Sequence, residues 1–155
     1  MTPDEHYRLL GKLMAHLQSL EFILRAFLQG LPSARPIGIP YGTDIYTYPV
    51  DTELPESEIT SYDSLRDLIE KFNIEMKRLD LPTVGATLVH LRDALAHGRV
   101  SSPTPDDTMR LLKFGKPEKA RVRIVFNQQM TKPWFRSQIQ RVRQAIMAVH
   151  KVMPQ

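Results

Sequence analysis

Three side chains in the segment 92–97 (sequence RDALAH) have the types and spacing that proton transfer on a phosphate ester needs. Asp93 and His97 are four residues apart, so on a helix they share one face and the carboxylate can orient the imidazole. His97 can transfer a proton near neutral pH, and Arg92 carries a planar guanidinium that matches phosphate oxygens. On an ideal helix Arg92 lies about 140° from His97, so one helix directs the two only obliquely at a shared substrate.

The residues around this segment predict the last three turns of a helix. Leu88, Leu91 and Leu95 recur at helical spacing, and Gly98 is placed to form a left-handed C-terminal cap. The plain structural alternative is a capped surface helix, in which Asp93 pairs with a neighbour and His97 interacts with the helix dipole.

The order of these residues resembles the signature of the HEPN superfamily, an Arg followed by a polar residue and, after four to six residues, a His. The Ala before His97 and the Gly after it add to the resemblance. Arg143 and His150 also fit the spacing, but no Gly follows them and they lie in the terminal helix. The resemblance implies a helical bundle that forms a homodimer, so that two motifs build one composite site.

The resemblance further implies a metal-independent endoribonuclease, as in many toxins and defence effectors, with a cognate antitoxin or another protein partner. Arg92, Asp93 and His97 would form its catalytic site and RNA would be its substrate. The expected products are 2′,3′-cyclic phosphate and 5′-hydroxyl ends. Asp93 departs from the Asn often found after the Arg, and its charge beside the scissile phosphate would weaken RNA binding.

Two other functions fit the same residues. One is a non-catalytic HEPN-like module that dimerises or binds a ligand or partner, with the motif as a structural cap. The other is a basic nucleic-acid binder without chemistry, whose binding falls with salt and with loss of Arg121 and Arg123.

Length and composition favour one domain over residues 1–155, with no cysteine and no uncharged apolar run long enough to span a membrane. The absence of cysteine and of a recognisable signal peptide favours a cytoplasmic protein without a membrane partner. We expect no cofactor and no metal, because His90 and His97 would stand about 10 Å apart along a helix axis.

The net charge of +4 is unevenly distributed along the chain. Residues 1–91 contain 8 Lys/Arg and 13 Asp/Glu, whereas residues 92–155 contain 13 and 4. The basic C-terminal part favours a phosphate-rich partner. Pairing of the acidic and basic parts during folding is the alternative.

Apolar periodicity predicts four principal helices. Thr2 caps the first, in a capping box closed by Glu5, with His6 and His16 on its polar face. Thr60 or Ser61 caps the second helix, and Thr83 caps the third. The fourth begins after Thr131, with the solitary Trp134 as a core anchor.

The remaining segments predict irregular and β structure. Residues 31–60 form a Pro/Tyr-rich connection with a short edge strand at 44–48; tyrosines that stack on bases are the alternative function of this connection. Residues 108–127 form a β-hairpin, with Val122, Ile124 and Phe126 on its buried face. Its outer face is basic and consists of Arg110, Lys113, Lys116, Lys119, Arg121 and Arg123. We expect Arg99, Arg121 and Arg123 to contact RNA, although the hairpin cations also suit a protected edge strand.

The sequence therefore predicts a mainly α protein, an up-and-down bundle of four principal helices with a small antiparallel β-hairpin or sheet inserted between the third and fourth.

Overall fold

The computed structural model describes residues 1–40, 42–104 and 108–153. Tyr41 of the predicted connection lies outside the described residues, as do residues 105–107, which directly precede the predicted hairpin. The described elements, in chain order, are α1 (Pro3–Gln29), α2 (Leu65–Arg78), α3 (Thr87–His97), β1 (Arg99–Ser101), β2 (Arg110–Phe114), β3 (Ile124–Gln129) and α4 (Lys132–Lys151). The prediction of a mainly α protein with a small antiparallel β-element is confirmed.

The chain divides into two compact units, and charge divides with them. The first unit comprises Met1–Leu20 and Gly85–Met147, and the second comprises Glu21–Val84 and Ala148–Gln155. By sequence the first unit contains 14 Lys/Arg and 6 Asp/Glu, and the second contains 7 and 11. The 92–97 motif thus belongs to a strongly basic unit.

The N-terminus of α1, in the first unit, follows the sequence only in part. The Thr2 hydroxyl accepts a hydrogen bond from the Glu5 amide at 3.2 Å, which confirms Thr2 as the N-cap. The Glu5 carboxylate does not close a capping box and instead forms an ion pair with Lys132 of α4. His6 was predicted on the polar face but is only 2% exposed, because its ring packs edge-on against Phe135, with centroids 5.3 Å apart.

The β-element of the first unit is a three-stranded antiparallel sheet in the order β1-β2-β3, in which β2 and β3 form the predicted hairpin and β1 is an additional strand. The predicted buried face is wrong, because Val122 precedes β3 and Ile124 is exposed. The reason is topological: α3 packs against the central strand β2, where Leu111 is fully buried, whereas β3 is an edge strand. The register also shifts between Lys113 and Phe114.

Helix α4 begins as predicted, since the Thr131 hydroxyl accepts a hydrogen bond from the Trp134 amide at 3.2 Å. Trp134 itself is half-buried rather than a core anchor. Phe135 is the fully buried residue, and its ring packs edge-on against that of Trp134, with ring centroids 5.1 Å apart. One residue is a 100° step around a helix, so the inward direction falls on Phe135.

In the second unit α2 begins later than predicted. Ser64 is its N-cap and forms a capping box with Asp67, whose carboxylate accepts the Ser64 amide at 2.9 Å. Thr60 is unable to serve because its hydroxyl already accepts the Ser57 amide at 2.8 Å and donates to the Pro55 carbonyl at 2.8 Å. The buried stripe of α2 matches the prediction, except that Tyr62 and Leu79 are exposed.

Two further predictions fail because side chains form hydrogen bonds to the backbone. Asn73 accepts the Val84 amide at 2.8 Å and donates to the Val84 carbonyl at 2.9 Å, so Val84 is held outside any helix and Thr83 does not cap α3. Residues 44–48 form no strand. The Asp44 carboxylate accepts the Tyr46 amide at 3.0 Å and closes a short 3₁₀ turn at Ile45–Thr47.

Candidate functional site

The end of α3 joins the motif directly to the sheet through Gly98. The predicted left-handed cap is wrong, since Gly98 is extended (φ −80°, ψ 176°) and its amide donates to the Ala94 carbonyl at 2.7 Å. A Cβ here would lie 2.3 Å from the Ala94 oxygen and 2.7 Å from Leu111 Cδ1. Glycine is therefore required by close packing against β2, which lets the chain pass from His97 straight into β1.

The motif forms a cluster with a residue that the sequence did not single out. Asp93 pairs with Lys113 of β2 through Oδ2, and its Oδ1 lies 3.9 Å from Nε2 of His97. The side chain of Lys113 is 18% exposed, that of Asp93 43% and that of His97 68%. The carboxylate thus stands between a largely buried ammonium and an accessible imidazole. We call Asp93, His97 and Lys113 the α3–β2 cluster.

Lys113 was assigned by sequence to the outer, solvent-facing side of the hairpin. The signal that locates it is strand alternation: Lys113 is two residues after Leu111, so both side chains leave the same face of β2, the face that Leu111 buries against α3. A lysine can cover such a surface because its four-carbon stem is apolar and only its tip needs a polar partner. Asp93 supplies that partner.

Arg92 is half-buried and leaves α3 in another direction than the Asp93–His97 pair. Successive residues are about 100° apart around the helix, so Arg92 lies on the flank of the face that carries Asp93. One copy of the motif consequently presents its imidazole and its guanidinium on different sides of α3, as the sequence predicted.

The three arginines predicted to bind RNA, Arg99, Arg121 and Arg123, do not belong to the α3–β2 cluster. The register pairs Arg99 with Leu112, so Arg99 and Lys113 leave opposite faces of the sheet. The Arg99 guanidinium lies over the Phe114 ring, 5.3 Å from its centroid, in cation–π geometry. Arg99 therefore belongs to the sheet face that turns away from the cluster.

Arg121 and Arg123 lie in the β2–β3 loop, before β3 begins. Glu118 and Arg121 exchange backbone hydrogen bonds at 2.8 and 2.9 Å around Lys119 and Ala120, which both have positive φ. This is the geometry of a type I′ turn, and it occurs here without glycine. Arg123 lies 3.8 Å from the Glu118 carboxylate, and both side chains are well exposed.

Within the described residues, no three His, Cys, Asp or Glu side chains group closely enough to hold a metal ion. None of the described helices is both long and apolar enough to cross a membrane. The α3–β2 cluster itself offers an imidazole, a carboxylate and an ammonium group.

Comparisons with protein-family models, with curated proteins and with solved structures give no significant match for this chain. The resemblance to the HEPN superfamily accordingly rests on the residues of the segment 92–98, and membership stays a prediction.

Proposed function

We propose that this chain is a metal-independent endoribonuclease of the HEPN type, with Arg92, Asp93 and His97 as its catalytic motif. The observation that carries the proposal is the α3–β2 cluster, in which an exposed His97 lies beside a carboxylate whose charge Lys113 offsets. An uncompensated Asp93 would repel a phosphate, and the ion pair reduces that repulsion. The cluster also belongs to the basic unit of the chain.

The reaction follows from the groups available. A base removes the proton of a ribose 2′-hydroxyl, O2′ attacks phosphorus, and the bond from phosphorus to O5′ breaks as an acid protonates O5′. His97 exchanges the proton, and Arg92 stabilises the charge on the phosphorane oxygens. The products are a 2′,3′-cyclic phosphate and a 5′-hydroxyl end.

One copy of the motif supplies one imidazole and one guanidinium, whereas this reaction uses both an acid and a base. A two-fold homodimer that brings two α3 helices together would supply two of each. The same resemblance implies that the four helices form an up-and-down bundle in a single domain, and that the protein is a toxin or defence effector with an antitoxin or other protein partner.

A non-catalytic HEPN-like module is the second candidate. It is favoured by the fact that Asp93 contacts Lys113 more closely than it contacts His97, so the carboxylate also serves to fasten β2 to α3. Such a module would dimerise or bind a partner and leave RNA intact.

Cleavage of a mixed RNA pool in EDTA by the purified chain tests the proposal. We expect cyclic-phosphate ends, and we expect Arg92→Ala and His97→Ala to abolish them because each removes a group that no other residue of the motif replaces. His150→Ala is the matched control: His150 is exposed on α4 and completes the second Arg–His spacing. An intact pool, or cleavage that survives in His97→Ala protein of native fold, would favour the module instead.

A further inference from the structure

A basic groove of about 570 Å³ lies between α1 and α4, inside the first unit. We call it the α1–α4 groove. Five cations line it: Arg8, Lys12, Lys132, Arg136 and Arg143. The lining residues, all within the described part of the chain, include no carboxylate, and the amides of Gln140 and Gln144 add neutral hydrogen-bonding groups.

The positive charge of the groove contributes to the lowered pKa of two titratable groups beside it, His16 and Glu5. The pKa of His16 is lowered by burial and by the charges of Lys12 and Arg143. The pKa of Glu5 is lowered chiefly by its hydrogen bond to Lys132, with a contribution from Arg8. Glu5 thus offsets the charge at Lys132, while Arg136 and Arg143, both exposed, are available to an anion further along α4.

The groove is elongated, which indicates a chain of anions rather than a single one. Lys132 and Arg143 are eleven residues apart on α4, about 16 Å along the helix axis. A single phosphate group is much smaller than this span, whereas a phosphodiester strand offers successive charges along it. Arg8 and Lys12 are one turn apart on α1 and line the opposite wall of the groove.

We propose that the α1–α4 groove binds the phosphodiester backbone of single-stranded RNA. The choice of RNA rests on the proposed function, whereas the binding is a property of the groove and is separable from cleavage. No aromatic side chain is among the lining residues that the structure describes, so recognition is through phosphates and is indifferent to base sequence.

An anionic membrane surface fits the groove less well than a strand does. Basic surface helices bind membranes by inserting exposed apolar side chains. Of the three apolar lining residues, Leu9 and Ile139 are only 7% exposed, and Met147 alone, at 57%, is available for insertion. The recessed cations suit a flexible strand that can enter the groove.

The test measures binding of the full chain to a short, mixed-sequence 2′-O-methyl RNA of about 12 nucleotides by fluorescence anisotropy. This probe has no 2′-hydroxyl nucleophile, so binding is read without cleavage. Single-stranded nucleic acids give a slope of log K against log salt of about −0.7 per neutralised phosphate. Contacts from three to five cations predict a slope between about −2 and −3.5.

The decisive variant is Arg136→Gln/Arg143→Gln, matched with Arg66→Gln/Lys77→Gln, which removes two exposed charges from α2 of the second unit. We expect the groove variant to bind at least about tenfold more weakly and to reduce the slope by about 1.4, and the control variant to bind like the unaltered chain. Equal losses in both variants, unaltered binding in the groove variant, or binding to phosphatidylserine vesicles without binding to the RNA would each overturn the proposal. Groove-dependent binding by a chain that cleaves nothing would support the groove and reject the ribonuclease.

Discussion

At the scale of single residues, the Lys113–Asp93 ion pair is the contact that connects the motif to the sheet. It joins β2 to α3 next to His97, and the Asp93 carboxylate pairs with the ammonium group of the largely buried Lys113. Because Asp93 is nearly half exposed, water screens part of the attraction.

A double-mutant cycle with Lys113→Met and Asp93→Asn measures this contact. We expect a coupling energy of about 1 kcal/mol in urea unfolding, near the upper end for partly exposed pairs. Lys116→Met, which removes an exposed lysine from the adjoining β2–β3 loop, should change the free energy of unfolding by less than about 0.5 kcal/mol. Strictly additive single variants would show that the pair contributes nothing to stability.

At the scale of elements, the passage from α3 into β1 depends on Gly98. Gly98→Ala would press a methyl group onto the Ala94 carbonyl oxygen and the Leu111 side chain, and would bring it within 3.1 Å of the Leu112 carbonyl oxygen. The backbone of α3 or of β2 would have to move to relieve these contacts. We expect a loss of about 2–3 kcal/mol in the free energy of unfolding, which chemical denaturation measures.

Gly11→Ala is the matched control because it has the opposite expected sign. Gly11 lies inside α1, and nothing would come within 4 Å of an added Cβ. Alanine there should stabilise the protein by about 0.5–1 kcal/mol, since it restricts the unfolded chain and favours the helix. Equal effects of the two substitutions would contradict the packing role assigned to Gly98.

Sequence predicted elements well where the decisive interactions are local. Thr2 and Thr131 cap their helices as expected, because an N-cap needs only a hydroxyl and the next three residues. Thr60 and Thr83 have the same residue type but do not cap helices. At Thr60 a second local pattern competes, the Ser57–Thr60 turn, and nothing in the spacing alone says which pattern forms. At Thr83 the deciding contact is not local, because Asn73 binds the Val84 backbone from eleven residues away.

At the scale of the whole molecule, a buried histidine makes global stability depend on pH. Burial lowers the pKa of His6, and both ring nitrogens lie in an apolar setting without a hydrogen-bond partner within the described residues. As pH falls below about 6.5, the unfolded chain binds a proton at His6 before the folded chain does. Stability is therefore full above this pH and falls as the pH decreases towards the lowered pKa of the folded state.

His6→Leu removes this titration, so its free energy of unfolding should vary less between pH 7.5 and pH 5.5 than that of the unaltered chain. Urea unfolding at a series of pH values measures the difference. His16, whose pKa is also lowered, contributes in the same direction and leaves some dependence in the variant. Parallel pH profiles for the two proteins would show that the buried imidazole is not responsible.

The sequence by itself determined the mainly α character, the approximate helical segments and the proximity of Asp93 to His97, because these follow from periodicity and from spacing within one helix. Only the tertiary structure brought Lys113 to Asp93, made Gly98 a close-packed passage, and gathered Arg8 and Arg143 into one groove. Each of these depends on which face an element buries and on bringing together residues 13 to 135 positions apart. Local sequence patterns specify that a face is apolar, but they do not specify what will cover it.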